Sequence, residues 1–284
     1  MGKIGVVVCS NSGIDYINHP YDIDVIRSTL IYGEEEYLDY VDITANEFYK
    51  KIKDNPDVMP RTAQCPTGVI AETYEKYRDK GYDELLCITI SSEMSGKYQG
   101  CVIASEMVEG IKVTVFDSKS VGYIESHMAL EASRLIEEGK SIEEILPMLE
   151  YVRDNSKLVF AVPELKYLVK NGRLSNASGF IGSMMKIKPL LEVTKEGKVV
   201  SVEKIRTLRR AIERVVAKVL EETEDLDGEY VLIHADNPEQ CDNIRTILKD
   251  SGIEGVNDYL LTPVVGCHSG PGAICLGFIP KYNG

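Results

Sequence analysis

The chain has 284 residues, 44% of them hydrophobic and 27% charged, an ordinary globular composition with room for two buried cores. A formal net charge of −13 excludes a general nucleic-acid binder and a protein held on anionic membranes by charge, since both need a basic footprint. Seven cysteines with no C-x-x-C pair, and four scattered histidines, argue against a disulfide framework and against a metal site. No stretch is apolar enough for long enough to span a bilayer, and the opening Lys3-Ile4-Gly5-Val6 reads as a strand, not a signal peptide. The expectation is a cytoplasmic protein with reduced thiols.

In chain order, the first half alternates short β-branched runs with amphipathic stretches, the pattern of a parallel sheet wrapped by helices. Residues 4–9 read as a strand ending in the polar turn Ser10-Asn11-Ser12-Gly13. Thr44-Ala45-Asn46-Glu47 is a capping box that opens a helix to about residue 53. Thr62 and Gln64 are expected in a loop, just before a helix to about residue 80. Strands follow at 84–90 and 112–116, with a helix over Tyr98, Val102, Ser105 and Val108 between them. Helices are predicted at about 121–138 and 142–154, the second opened by a capping box at Ser141.

The second half changes character. A strand at 158–162 and a short helix at 164–170 precede two runs that flank Glu196-Gly197, a hairpin signal and hence antiparallel pairing. A helix at about 208–223, a strand at 230–235, a helix at 237–250 and strands at 259–262 and 273–279 complete the pattern. The fold class is therefore α/β in two domains. Residues 1–156 form an N-terminal parallel sheet flanked by helices, and residues 157–284 a C-terminal mixed α/β domain.

Polar residues cluster after the predicted strands: Ser10 and Ser12 after the first, Ser91, Ser92 and Ser95 after the second, Asp117 and Ser118 after the third. Ligands of parallel α/β sheets bind at that edge, and hydroxyls with free helix N-termini suit a carboxylate or phosphate. The same residues also read as ordinary caps and turns. Gly96-Lys97 faintly resembles a P-loop, but Ser91 stands in place of the leading glycine and Tyr98 where Mg²⁺ needs Ser or Thr. No nucleotide cofactor is expected. Gly172 suits a helix C-cap that projects Arg173 from its loop. Gly266-Cys267-His268-Ser269-Gly270-Pro271-Gly272 reads as a tight, exposed loop around a candidate binding histidine, His268.

Five motifs in this order resemble the DegV family. They are Thr62-Ala63-Gln64, Ser91-Ser92-x-x-Ser95-Gly96-x-Tyr98-Gln99, Asp117-Ser118, Gly172-Arg173-Leu174-Ser175 and His268-Ser269-Gly270-Pro271-Gly272. The family includes the fatty-acid-binding subunits of bacterial fatty acid kinase. The resemblance implies a long-chain fatty acid buried between the two domains, with its carboxylate on the Thr62 and Ser95 hydroxyls and Arg173 and His268 nearby. Gln64, Ser92, Ser10 and Gly270 complete the candidate ligand-binding set. Two departures stand out: Cys9-Ser10 replaces the family's Asp-Ser at the end of the first strand, and Cys65 interrupts its Thr-Ser-Gln-Pro-Ser motif.

On this reading the chain is no enzyme. It is a lipid carrier that presents its fatty acid to a separate kinase subunit for acyl-phosphate formation, with membrane contact confined to lipid exchange. Burying about fifteen methylenes contributes a gross term of about 12 kcal/mol, reduced by the ordering of the chain. Phe180, Ile181, Met184, Met185 and Ile187 are candidates for the tail's tunnel, with plain core as the alternative. Arg206, Arg209 and Arg210, with Arg214, Lys186, Lys188 and Lys204 nearby, form the candidate kinase-docking patch. The rivals are an acyl hydrolase or transferase using Cys65 or a serine of the 91–95 loop, and a sensor whose lipid is only structural.

Overall fold

The computed structural model describes residues 2–180 and 187–283. The first half contributes β1 (Ile4–Cys9), β2 (Ile23–Ile26), β3 (Thr29–Tyr32), β4 (Glu35–Leu38), α1 (Ala45–Asp54), β5 (Arg61–Ala63), α2 (Thr67–Asp79), β6 (Glu84–Thr89), α3 (Lys97–Met107), β7 (Lys112–Asp117), α4 (Tyr123–Glu137) and α5 (Ile142–Asn155). The second contributes β8 (Lys157–Ala161), α6 (Lys166–Lys170), β9 (Leu190–Val193), β10 (Val199–Glu203), α7 (Leu208–Thr223), β11 (Gly228–His234), α8 (Pro238–Asp250), β12 (Asn257–Leu260), α9 (Pro263–Ser269) and β13 (Ile274–Pro280).

The Ile-Gly-Val-Val-Val-Cys run of β1 is apolar throughout, as suits a strand covered on both faces, and it lies inside the all-parallel sheet β2-β1-β6-β7. One face packs on α2 and α3 through Ile70, Tyr74, Leu85 and Cys101. On the other, Ile124, Met128 and Ala132 of α4 are buried. The capping boxes at Thr44 and Ser141 both form. The second sheet has the order β10-β9-β8-β13-β11-β12, and among its pairs only β11–β12 is parallel. Its outer face is covered by α7 and α8 through Ile212, Val216, Ile244 and Leu248.

The largest buried cluster draws on both halves, joining Val8, Phe48 and Met128 to Leu158, Val231 and Cys275. Polar ties cross the same junction. Tyr49 Oη donates to the Leu261 carbonyl at 3.0 Å, and Ser91 Oγ to the Gly197 carbonyl in the β9–β10 turn at 2.7 Å.

Two expectations are corrected. Thr62 does not sit in a loop: β5 pairs antiparallel with β3, setting Thr62 opposite Leu30, in a three-stranded sheet β4-β3-β5 that the sequence reading overlooked. These strands span three or four residues each, too short for a clear period, and Arg-Thr-Ala gains its extended form from its partner strand. The 266–272 segment is not an exposed loop either. Most of it belongs to α9, capped by Thr262 and opened by Pro263, and Gly266, Cys267, Ser269 and Gly270 are buried. Its glycines permit close packing. A Cβ at Gly266 would stand 2.5 Å from Tyr49 Oη, and one at Gly270, where φ is 76°, would stand 2.4 Å from the Tyr167 ring.

Candidate ligand-binding site

A cavity of about 320 Å³, within the size range of small-molecule pockets, lies between the six-stranded sheet and the elements at the C-terminal edge of the parallel one. The six-stranded sheet supplies an apolar wall. Its register sets Phe160 opposite Cys275 and Cys275 opposite Ile233, so the three form a row across β8, β13 and β11. Leu158 and Val193 extend that wall. The polar lining includes Thr62 and Gln64 at the end of β5, Ser95 ahead of α3, Arg173 after α6 and His268 on α9, together with Asn11, Ser28 and Ser269.

Thr62 Oγ1 and His268 Nε2 lie 3.0 Å apart, while His268 Nδ1 is buried without a hydrogen-bond partner. In one tautomer Thr62 donates to Nε2 and the Nδ1 hydrogen has no acceptor. In the other, Nε2 donates to Thr62 and the hydroxyl hydrogen is left over. Either way one hydrogen of this part-buried pair lacks a protein acceptor, and a bound anion would supply one. Burial, helped by the Arg173 charge, lowers the His268 pKa to about 4, so the ring is neutral at physiological pH. Ser95 Oγ accepts the Lys97 backbone N–H at 3.2 Å, which leaves its own hydrogen to donate. Gly172, at φ 69°, turns the chain after α6, and Arg173 is anchored by its Nε on the Met94 carbonyl (3.3 Å) and its Nη1 on the Asn171 carbonyl (2.6 Å).

Thr62, Gln64, Ser95, Arg173 and His268 thus line one cavity, although they are far apart in sequence. Ser10, Ser92 and Gly270 do not line it. Ser10 Oγ accepts the Ser28 backbone N–H, Ser92 Oγ donates to Asp117 at 2.6 Å on the exposed surface, and Gly270 packs on Tyr167. Ile187 is core and lies outside the lining; Ile181, Met184, Met185 and Lys186 fall outside the described residues, as does the Phe180 side chain. Arg206, Arg209 and Arg210 are exposed; Arg209 pairs with Glu213, whereas Arg214 is held by Glu203. Sequence reasoning missed Asn11 and Ser28, both in the lining, and gave the apolar wall no role beyond strands.

The family model described as "Uncharacterised protein, DegV family" matches residues 3–281. The chain belongs to the DegV family. A DegV domain-containing protein of Clostridium acetobutylicum is 35% identical over 286 residues, covering 99% of this chain and 100% of the relative. Among solved structures, DegV of Bacillus subtilis, described as a fatty acid binding protein, superposes with a TM-score of 0.87 at 31% identity, covering 99% of this chain and 100% of that one. A DegV lipid binding protein of Thermotoga maritima superposes with a TM-score of 0.82 at 29% identity, over 98% of each chain.

The geometry of this DegV chain gives little support to nucleophilic catalysis. Burial raises the pKa of both Cys65 and Cys267, opposite to what a reactive thiolate needs. The Thr62–His268 pair has the spacing of a nucleophile and its base, but the ring is a weak base and Nδ1 meets no orienting group. Among the described residues, His234, Cys241 and Asp258 form one cluster of metal-binding residue types. Its chemistry does not fit a metal. His234 Nδ1 accepts the Asn237 backbone N–H at 3.0 Å, so the proton sits on Nε2, which faces Asp258 at 3.3 Å. Arg245 holds the other Asp258 oxygen. Among the described residues, no helix is long and apolar enough to cross a membrane.

Proposed function

We propose that this chain binds one long-chain fatty acid, with the carboxylate at the Thr62–His268–Ser95–Arg173 end of the cavity and the tail along the apolar wall, and presents it to a partner kinase. The observation that carries this reading is the hydrogen left without a protein acceptor at the Thr62–His268 pair, beside a cationic arginine and an apolar wall. That combination suits a molecule with one anionic end and a hydrocarbon body. The descriptions of the Bacillus subtilis neighbour as fatty acid binding and of the Thermotoga maritima neighbour as lipid binding support it. The domain boundary falls near residue 156 in this reading, so the ligand lies between the domains. A reducing, cytoplasmic setting fits the seven free, buried cysteines.

The carrier supplies the substrate's head group, while nucleotide and metal belong to the kinase. Arg206, Arg209 and Arg210 present positive charge on a chain of net charge −13, where complementary charge on a partner would most affect encounter. Reversal of the three to glutamate is expected to leave bound fatty acid unchanged and to slow acyl-phosphate formation by a cognate kinase at least about tenfold. Bound lipid and acyl phosphate are measured separately. Phosphorylation at the wild-type rate in the reversed variant would refute docking through this patch.

A further inference from the structure

The P-loop-like lysine that the sequence reading sets aside has a different place in the fold. Lys97, in the first turn of α3, is only 2% exposed. Its ammonium donates to Ser28 Oγ at 2.6 Å and to the Ile26 carbonyl at 3.0 Å, and it meets no carboxylate within ion-pair distance among the described residues. Asp39 and Glu125 feel its charge from beyond contact.

The proton inventory at Ser28 is decisive. An ammonium can only donate, so the serine oxygen is the acceptor and its single hydrogen points elsewhere. Ser28 is buried, and it lines the cavity one residue before β3, next to the strand that carries Thr62. Its backbone is fixed at both ends: the N–H donates to Ser10 Oγ at 3.2 Å and the carbonyl accepts from Asp39 N–H at 3.1 Å. Lys97 also donates its own backbone N–H to Ser95 Oγ. One residue therefore occupies the acceptor side of two cavity-lining hydroxyls and leaves both hydrogens free to donate.

We propose that Lys97 is a positioning residue for an anionic head group, presenting Ser28 as a further hydroxyl donor and supplying the buried positive charge behind it. This deepens the fatty-acid reading and rests on it. The inference also assigns a selectivity: a carboxylate gains from the buried charge, whereas an alcohol of equal length gains little.

The test compares hexadecanoic acid with hexadecanol on delipidated protein. Ser28→Ala and Lys97→Met should each weaken acid binding by about tenfold to a hundredfold and change alcohol binding by less than about threefold. Because the lysine acts partly through the serine and partly through its own charge, the double variant should lose more than either single variant but less than the sum of the two. An equal fall for both ligands, or an unchanged acid-to-alcohol ratio in Ser28→Ala, overturns the inference. Should Lys97→Met fail to fold, Ser28→Ala alone decides. Wild-type protein that binds neither ligand would instead defeat the fatty-acid reading itself.

Discussion

Thr62→Ala combined with Ser95→Ala is expected to raise the Kd for a long-chain fatty acid by roughly two to four orders of magnitude while the protein stays folded. Each hydroxyl would donate a charge-assisted hydrogen bond contributing about 1.5–3 kcal/mol, so the pair is worth about 3–6 kcal/mol. The fold should tolerate the change because neither hydroxyl bonds a backbone group distant in sequence. Thr62 meets His268, and Ser95 accepts a backbone N–H two residues on. Titration calorimetry on delipidated protein reads the affinity, and a thermal melt checks folding. Wild-type affinity in a folded double variant would remove the carboxylate from this end of the cavity.

A second large effect concerns stability and pH. Asp39 is only 1% exposed, and burial raises its pKa to about 7 from the ordinary carboxylate value. A carboxyl raised in the folded state binds its proton more tightly there. The stabilisation is fully present below the unfolded pKa near 3.9 and is lost as pH rises through the folded value. Between about pH 5 and pH 7 that is two units, or about 3 kcal/mol at 1.36 kcal/mol per unit. Wild-type protein should therefore lose about 3 kcal/mol more than Asp39→Asn as pH rises from about 5 to 8. Urea unfolding of both proteins at the two pH values measures the difference. Parallel pH profiles would show that Asp39 ionises in the fold at its unperturbed pKa.

Much of the architecture is legible in the sequence because long elements carry redundant signals. The apolar run of β1, the capping boxes at Thr44 and Ser141 and the Glu196-Gly197 turn each combine periodicity with local backbone chemistry. The sheet formed by β3, β4 and β5 is harder to read. Its hairpin closes through Gly33, at φ 65°, in the two-residue link between Tyr32 and Glu35, but four-residue strands beside a run of glutamates carry little period. The glycines of the 266–272 segment mislead for a related reason. Glycine marks both exposed turns and sites of close packing, and only the positions of Tyr49 and Tyr167 distinguish the two.

At the cavity, Thr62, Ser95, Arg173 and His268 stand out because their motifs pair chemically active side chains with glycines or hydroxyls. Ser28 has no such mark, and Lys97 is marked only by a P-loop resemblance that fails. Their contact joins residues 69 apart and exists only once α3 docks beside the start of β3. The apolar wall is invisible for the opposite reason: Leu158, Phe160 and Val193 look like any core strand residue until the register shows which face meets the cavity.

The central claim, that the cavity holds a fatty acid by its carboxylate, is tested most directly by native mass spectrometry of the purified protein. The expected spectrum shows the chain plus one mass in the long-chain fatty acid range, released on denaturation and recovered as a free carboxylic acid. Delipidated protein should take up one equivalent of added hexadecanoic acid, and the Thr62→Ala, Ser95→Ala double variant should not hold it. Wild-type protein that carries no lipid and binds none when it is offered would contradict the account.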